Sequence, residues 1–292
     1  MTNVKSVDEL QEENAMLKAK LKTAFRELGQ RNDQLSEKHQ EVTDSINYAQ
    51  RIQIAMMQPE YLVKERLEDS FIIYMPKDVV SGDFYYVGKK QDDIVVFGAI
   101  DCTGHGVPGA LLSVIGFTFI QQAVRERGMT TPSDILTFLD DGVNRILRQT
   151  GDESGVKDGM DLALCSLNTK TRVLEYAGAY NPLYYFNKGE LKEVKANRNP
   201  IGVNEDGIPD EYTNHRVQLD KGDTLYLMSD GFADQFGGKH GSKFKYRRLR
   251  KLIHSIQDLS MGGQKEKFED AFYRWKGDYD QVDDILIIGV RV

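Results

Sequence analysis

Cysteine, histidine and tryptophan are scarce in this chain of 292 residues, which contains two cysteines, five histidines and one tryptophan. Cys102 and Cys165 stand in apolar stretches, and neither belongs to a CxxC pair of the kind that binds zinc. Two isolated thiols cannot supply a disulfide framework and are typical of a reducing compartment. We therefore expect both thiols to be free and the protein to be cytoplasmic.

Excess positive charge and long apolar runs are also lacking. Asp and Glu outnumber Lys and Arg by 45 to 38, which gives a net charge of −7. That balance excludes the broad basic surface typical of nucleic-acid-binding proteins. The longest apolar run, residues 110–120, is interrupted by Ser113, Gly116 and Thr118. The sequence therefore predicts neither a nucleic-acid partner nor a membrane partner.

Proline is absent before Pro59, and that part of the chain is rich in the helix formers Glu, Lys, Gln and Leu. A pattern of seven heptads has fifteen core positions here, of which eleven are apolar; they form a narrow seam. The a positions are Val7, Asn14, Leu21, Leu28, Leu35, Val42, Ala49 and Met56, and the d positions are Leu10, Leu17, Ala24, Arg31, Lys38, Ser45 and Ile52. So narrow a seam favours a coiled coil, and asparagine at an a position favours a parallel dimer. Polar d positions in the middle of the seam leave a single solvated helix as the alternative.

Beyond residue 58 the pattern changes to short β-rich runs, many of them separated by short turns. We predict strands at residues 71–75, 83–87, 94–100, 162–167, 173–177, 183–186, 225–228 and 285–290, and helices at 110–127, 134–148, 243–257 and 264–275. Hairpins interleaved with pairs of helices indicate an α+β domain with antiparallel sheets. The predicted organisation is a regulatory helix at 1–58 and a folded domain at 59–292.

A glycine-rich segment, residues 104–109, matches the GxGxxG pattern of dinucleotide-binding proteins. It follows a predicted strand and precedes a helix, but that helix is followed by another helix instead of a parallel strand that ends in an acidic residue. Residues 82–89 resemble a phosphate-binding P-loop only superficially, because five residues separate the glycines and Lys90 stands where Ser or Thr is required. Neither pattern predicts a nucleotide site.

Carboxylates stand at the ends of four predicted strands. Asp101 directly follows a predicted strand and Asp230 follows another after Ser229, whereas Asp83 and the pair Asp283-Asp284 open strands. One such residue is usually a turn former. Four carboxylates that converge repel one another, and a hard divalent cation offsets this repulsion best. Ligation by oxygen alone points to Mg²⁺ or Mn²⁺, and two such ions could activate a bridging water for attack on a phosphate.

These segments, in this order, resemble the metal-dependent PPM (PP2C-type) serine/threonine phosphatases: Ser81-Gly82-Asp83-Phe84-Tyr85, residues 101–110, Ser229-Asp230-Gly231 and Asp283-Asp284-Ile285. Within that family they resemble the bacterial stage II sporulation protein E and RsbU-like branch, from about Asn47 to Val292. The resemblance implies an α-β-β-α sandwich with two metal ions at one edge. It also implies that Asp101 bridges both ions, that Asp83 and the Cys102 carbonyl bind the second ion, and that Asp230 and Asp283 bind the first.

The chain departs from the family pattern in three places. Cys102 replaces a small residue, Leu286 replaces a threonine, and the phosphate-contacting arginine of the animal-type enzymes has no counterpart that we can place. His105 is either a general acid or a turn or packing residue. Asp158 and Asp161 are either ligands of a third ion or capping and surface residues.

The function implied by the resemblance is an Mn²⁺- or Mg²⁺-dependent phosphatase that acts on phosphoserine or phosphothreonine. Its substrate would be a phosphoprotein, a STAS-type anti-sigma-factor antagonist. We expect a homodimer formed through the N-terminal helix, with an upstream sensor protein as a further partner. Two alternatives remain open: a catalytically silent interaction module, and a small-molecule phosphohydrolase.

Overall fold

The computed structural model describes residues 6–88, 92–147, 158–202 and 210–292. The chain divides into two compact units, Met1–Ala49 and Gln50–Val292. Helix α1, Val7–Met56, forms the described part of the first unit, and its last residues belong to the second. The helix starts with a capping box, in which the Ser6 N–H donates to Glu9 and the Glu9 N–H donates to the Ser6 hydroxyl.

The second unit contains two five-stranded antiparallel sheets. The first sheet has the order β1-β12-β9-β6-β7, formed by β1 (Ser70–Met75), β12 (Ile285–Arg291), β9 (Thr224–Met228), β6 (Leu183–Asn187) and β7 (Glu190–Val194). The second has the order β2-β3-β4-β5-β8, formed by β2 (Phe84–Val87), β3 (Ile94–Cys102), β4 (Met160–Asn168), β5 (Val173–Ala179) and β8 (His215–Gln218). Two short strands, β10 (Phe236–Gly237) and β11 (Ser242–Lys243), pair separately.

Helices cover the outer face of each sheet. Helices α3 (Gly106–Gln121) and α4 (Pro132–Leu147) cover the second sheet, and α5 (Gly231–Asp234), α6 (Tyr246–Ser255) and α7 (Met261–Lys276) cover the first. The short helix α2 (Glu60–Arg66) instead buries Val63 in the cluster between the sheets. One apolar cluster joins α3 and α4 to the second sheet, another lies between the sheets, and a third joins the first sheet to α6 and α7. The layers are therefore helix, sheet, sheet and helix, and the predicted α-β-β-α sandwich is confirmed.

The predicted strands and helices are present, with ends displaced by a few residues. Strands β7 and β8 and helix α2 were not predicted, because their sequences are short and mostly polar or charged. Helix α5 and strands β10 and β11 were not predicted either, because elements of two to four residues show no periodicity. Part of the predicted turn after β2, residues 89–91, and the predicted helix end at Arg148 lie outside the described residues.

Helix α3 and the π-helical turn that follows it, Gln122–Glu126, form a segment long and apolar enough to cross a membrane, with a mean hydropathy of 1.5. Length and composition alone do not identify a membrane span. Leu112, Phe117 and Ile120 of this segment are buried in the cluster between the helical layer and the second sheet. Packing inside the domain accounts for the apolar character of these side chains.

Candidate metal centre

The second sheet brings Asp83 and Asp101 together. Strands β2 and β3 are antiparallel, with Phe84 opposite Ile100, and one further step of that register places Asp83 opposite Asp101. Asp83 is 2% exposed, and its Oδ2 atom has no hydrogen-bond partner among the described residues. Burial, followed by the charge of Asp101, raises the pKa of Asp83 well above its usual range. A buried carboxylate oxygen without a partner fits a cation ligand.

Asp161 lies beside them on β4, opposite Asp101 in the ladder. Directly opposed residues project from the same face of a sheet, so both carboxylates lie on one side. Burial and then the charge of Asp230 raise the pKa of Asp161 to about 7. The expectation of a capping or surface role does not hold for Asp161, since it is a partly buried strand residue. Asp158 precedes this strand.

The first sheet supplies Asp230 and Asp283 at one end of two paired strands. Asp230 follows β9 and Asp283 precedes β12, and the two strands are antiparallel neighbours. Gly231 allows the close approach, because a Cβ atom there would lie 2.0 Å from the Asp284 carbonyl oxygen. Burial, then the charges of Asp234 and Asp283, raise the pKa of Asp230 to about 6. Asp230 and Asp283 therefore share one edge of the sheet.

The two groups of carboxylates influence each other across the sandwich. Burial raises the pKa of Asp101 most strongly, and the next causes are the negative charges of Asp230, Asp283 and Asp161. Among the described residues, no group of three or more Asp, Glu, His or Cys side chains has the spacing of a formed metal shell. What links the two groups is therefore the electrostatic interaction of Asp101 with Asp230 and Asp283.

Two glycine-containing loops pack tightly next to Asp83 and Asp101. A Cβ atom on Gly82 would lie 2.5 Å from the Gly104 carbonyl oxygen and 3.0 Å from that of Cys102. A Cβ atom on Gly109 would lie 2.2 Å from the same Gly104 oxygen. The glycine-rich motif thus serves close backbone packing, and it places the Cys102 carbonyl beside the residue that precedes Asp83.

Asp284 organises the site, a role that was not predicted from its sequence position. The side chain is 3% exposed, and its two oxygens accept hydrogen bonds from the backbone N–H groups of Lys77 and Gly82, each at 2.7 Å. This carboxylate therefore fixes the loop that leads into Asp83. Asp283 differs, because its Oδ1 atom accepts a single described hydrogen bond, from the Asp284 N–H at 2.9 Å. Of the two adjacent carboxylates, Asp283 is the better candidate ligand.

Gln53, in the last turns of α1, also holds this loop. Its amide donates to the Ser81 carbonyl at 2.6 Å and to the Ser113 hydroxyl of α3 at 2.8 Å, and it accepts from the Ser81 N–H at 3.1 Å. The side chain is 6% exposed. No sequence signal identified it, because a glutamine at an e position of a heptad is ordinarily solvated. The end of α1 is thus bonded to the backbone two residues before Asp83.

Both thiols are buried and unpaired. Burial raises the pKa of Cys102 and of Cys165 well above the usual range, so both stay protonated. Cys102 can therefore offer its carbonyl, but not a thiolate, to a cation.

We expect a Cys102→Ala, Cys165→Ala double variant to keep its phosphatase activity within about twofold. Neither sulfur atom takes part in the chemistry, although two small cavities should lower the free energy of unfolding by about 2 kcal/mol in total. The measurement is kcat/KM at saturating Mn²⁺, with bound metal determined alongside. Loss of activity with fold and metal content intact would show that a thiol is required.

The stage II sporulation protein E family model matches residues 91–292. The PP2C domain of SiaA from Pseudomonas aeruginosa is 35% identical and superposes with a TM-score of 0.78, covering 87% of this chain and 98% of its own. The phosphatase domain of SpoIIE from Bacillus subtilis, with a fragment of its regulatory domain, is 20% identical, with coverage of 77% and 63% and a TM-score of 0.60.

RsbX in complex with magnesium is 14% identical, with coverage of 76% and 94% and a TM-score of 0.52. Like the Bacillus SpoIIE domain, it shows a shared fold only. A search of curated protein sequences gave no significant match.

Proposed function

The chain belongs to the stage II sporulation protein E family of PP2C-type serine/threonine phosphatases, and on this premise we propose that it uses two Mn²⁺ or Mg²⁺ ions to dephosphorylate a bacterial regulatory protein. The observation that carries the proposal is the convergence of four strand-end carboxylates from two sheets: Asp83, Asp101, Asp230 and Asp283. Raised pKa values at three of them indicate a site that favours a cation or a proton over bare negative charge.

The residues present fit a pair of hard cations. Asp83, Asp101, Asp230, Asp283 and the Cys102 carbonyl would hold the ions, and Asp101, which interacts with carboxylates of both groups, would be shared between them. Only oxygen donors are offered, which suits Mg²⁺ and Mn²⁺ better than Zn²⁺. When bound, the ions would supply an activated water nucleophile and neutralise the charge of the phosphoryl group.

The chain itself holds the donors in place. Asp284 fixes the backbone at Gly82, and Gln53 fixes it at Ser81, so the segment that enters Asp83 is bonded from two directions. These three hydrogen bonds limit the motion of the backbone next to Asp83. Preorganised ligands of this type are what two-metal hydrolysis requires of a protein.

The proposed substrate is a phosphorylated STAS-type anti-sigma-factor antagonist, and the proposed compartment is the cytoplasm. Support comes from the family to which the chain belongs. The test compares Mn²⁺-dependent phosphate release from such a phosphoprotein, from a phosphoserine peptide and from free nucleotides. Preference for the phosphoprotein is expected. Preference for nucleotides would favour the small-molecule phosphohydrolase, and no turnover on any of them would favour the silent interaction module.

We also propose that α1 forms a homodimer through its heptad seam. The a-position leucines Leu21, Leu28 and Leu35 are 58%, 64% and 68% exposed, a row of large apolar side chains that water disfavours. A helix of 50 residues is about 75 Å long, enough to carry a change of pairing from an upstream sensor protein. The bonds of Gln53 to Ser81 and Ser113 link the end of this helix to the loop of Asp83.

The polar d positions give a test of regulation through the helix. The Lys38 ammonium forms an ion pair with Glu41 at 2.6 Å, and the Ser45 hydroxyl donates to the Glu41 carbonyl. The polar groups of Lys38 and Ser45 therefore have partners within their own helix. Replacing Arg31, Lys38 and Ser45 with Leu should tighten the dimer and shift basal phosphatase activity several-fold. The reason is that an apolar seam favours one arrangement of the two α1 helices over the alternative arrangements.

The matched control places three leucines on the outer f positions, at Arg26, Asp33 and Gln40. Sedimentation measures dimer affinity, and phosphate release measures activity. A tighter dimer with unchanged activity would show that the helix is a passive tether.

A further inference from the structure

Lys77, Asp78 and His105 form a hydrogen-bonded row that the metal-centre assignment does not use. His105 Nδ1 lies 2.5 Å from Asp78 Oδ2, and His105 Nε2 lies 3.0 Å from Lys77 Nζ. The side chains of His105 and Asp78 are 46% and 45% exposed, so a protein substrate can reach them.

This row lies at the rim of the carboxylate cluster. The Lys77 N–H donates to Asp284, whose own N–H donates to Asp283. His105 belongs to the glycine-rich loop that follows Asp101, and a Cβ atom on Gly106 would lie 3.2 Å from Asp78 Oδ2. The three side chains therefore stand where the loop before Asp83 meets the loop after Asp101.

The donors and acceptors assign the protons in the row. A lysine ammonium can only donate, so His105 Nε2 must be the acceptor, and the Nδ1 proton then donates to Asp78. Both ring nitrogens are thereby occupied, which leaves His105 no free proton for a leaving group. Among the described residues, no carboxylate lies within ion-pair distance of the Lys77 ammonium. One N–H of this ammonium donates to the His105 ring, and the other two are available to an anion.

We propose that Lys77 binds the phosphoryl group of the substrate and that His105 and Asp78 position it. The proposal rests on the phosphatase function proposed above and adds a residue that contacts substrate, in a chain where no phosphate-binding arginine was identified. A hydrogen bond from an ammonium group to a phosphate oxygen is charge-assisted and stronger than one between neutral groups. The row would hold the Lys77 ammonium in one position before substrate arrives, which lowers the entropy cost of binding.

The test measures binding of inorganic phosphate to the Mn²⁺-loaded protein by calorimetry, and KM and kcat with a phosphoserine peptide. Lys77→Met should raise the phosphate Kd and the KM about tenfold or more, the effect of losing one hydrogen bond to a charged group. Lys77→Arg should recover most of the loss. The matched control is Lys221→Met, since Lys221 is exposed at the turn before β9, at the opposite end of that strand from Asp230.

His105→Gln should produce a smaller increase in the phosphate Kd, and the Lys77→Met, His105→Gln double variant should bind phosphate no more weakly than Lys77→Met alone. The Mn²⁺ affinity of Lys77→Met distinguishes a lysine that binds phosphate from one that only offsets the negative charge of the carboxylates. If Lys77 only offset that charge, its loss would tighten Mn²⁺ binding and leave the phosphate Kd unchanged, and that result would overturn the proposal.

The two proposals fail in different ways. An active wild type whose Lys77→Met variant binds phosphate normally would overturn the role of Lys77 alone. A wild type that binds phosphate through Lys77 but hydrolyses no phosphopeptide would support this role and contradict the phosphatase function. A wild type that neither binds phosphate nor hydrolyses the peptide would contradict both.

Discussion

Asp101→Asn should reduce phosphate release by about a thousandfold or more while the fold remains intact. Asp101 is the carboxylate that interacts with the three other candidate aspartates, and its negative charge would attract both ions. Electrostatic stabilisation by metal ions in phosphoryl transfer amounts to several kcal/mol, which corresponds to a loss of this size. Asparagine has nearly the same shape, so the packing of β3 should not change.

The matched control for this variant is Asp258→Asn, because Asp258 is exposed in the segment between α6 and α7. Activity is measured at saturating Mn²⁺, and the fold is checked by circular dichroism. Most of the wild-type activity in the Asp101→Asn protein would show that the carboxylates do not form a two-metal centre.

The same substitution should stabilise the metal-free protein, and the sign follows from the raised pKa. Folded Asp101 holds its proton more tightly than the unfolded chain does, because burial and neighbouring carboxylates disfavour its charge. Stability of the metal-free protein therefore falls as pH rises above about 4, where the unfolded carboxyl ionises. Asparagine does not titrate, so the Tm of Asp101→Asn should exceed that of wild type by a margin that grows toward neutral pH and disappears when Mn²⁺ is added.

Gly231→Ala should lower kcat/KM about a hundredfold. The new methyl group would lie 2.0 Å from the Asp284 carbonyl oxygen, a backbone atom that cannot rotate away. Relief of the clash must separate the β9 end from the β12 start, and so Asp230 from Asp283. A displacement of about 1 Å in an active site can cost this much in rate.

Gly262→Ala is the matched control, because the nearest atom to a Cβ there is the Ser260 hydroxyl, 4.0 Å away, and the site begins helix α7. That variant should retain activity and gain slightly in stability. Calorimetry with Mn²⁺ shows whether the activity loss in Gly231→Ala comes with weaker metal binding. Normal metal affinity and normal turnover in Gly231→Ala would mean that this close approach does not hold the site together.

The sequence was sufficient to predict the layered fold and the carboxylates at strand ends. Apolar runs bounded by turn residues mark strands because each must bury at least one face. Asp101 lies at the end of one such strand, and Asp230 lies two residues beyond another. Strand β8, which alternates partly buried and exposed residues, gave no such signal, since its pattern is visible only when β5 is known to be its neighbour.

Contacts between distant segments could not be predicted. Asp161 lies opposite Asp101 only through the β3–β4 register, and no local pattern specifies register across the long connection between those strands. Gln53 and Asp284 act through hydrogen bonds to backbone 28 and 202 residues away in sequence. Side chains of these types are ordinarily solvated, so their roles follow only from where the fold places them.

The central claim, that clustered carboxylates hold divalent ions for phosphoester hydrolysis, is tested most directly with metal-stripped wild-type protein and an aryl phosphate. Mn²⁺ is added back in steps while product release is followed. The account predicts no turnover in the stripped protein and recovery as the ions bind. Undiminished turnover by protein shown to contain no metal, or no turnover at any Mn²⁺ concentration, would contradict it.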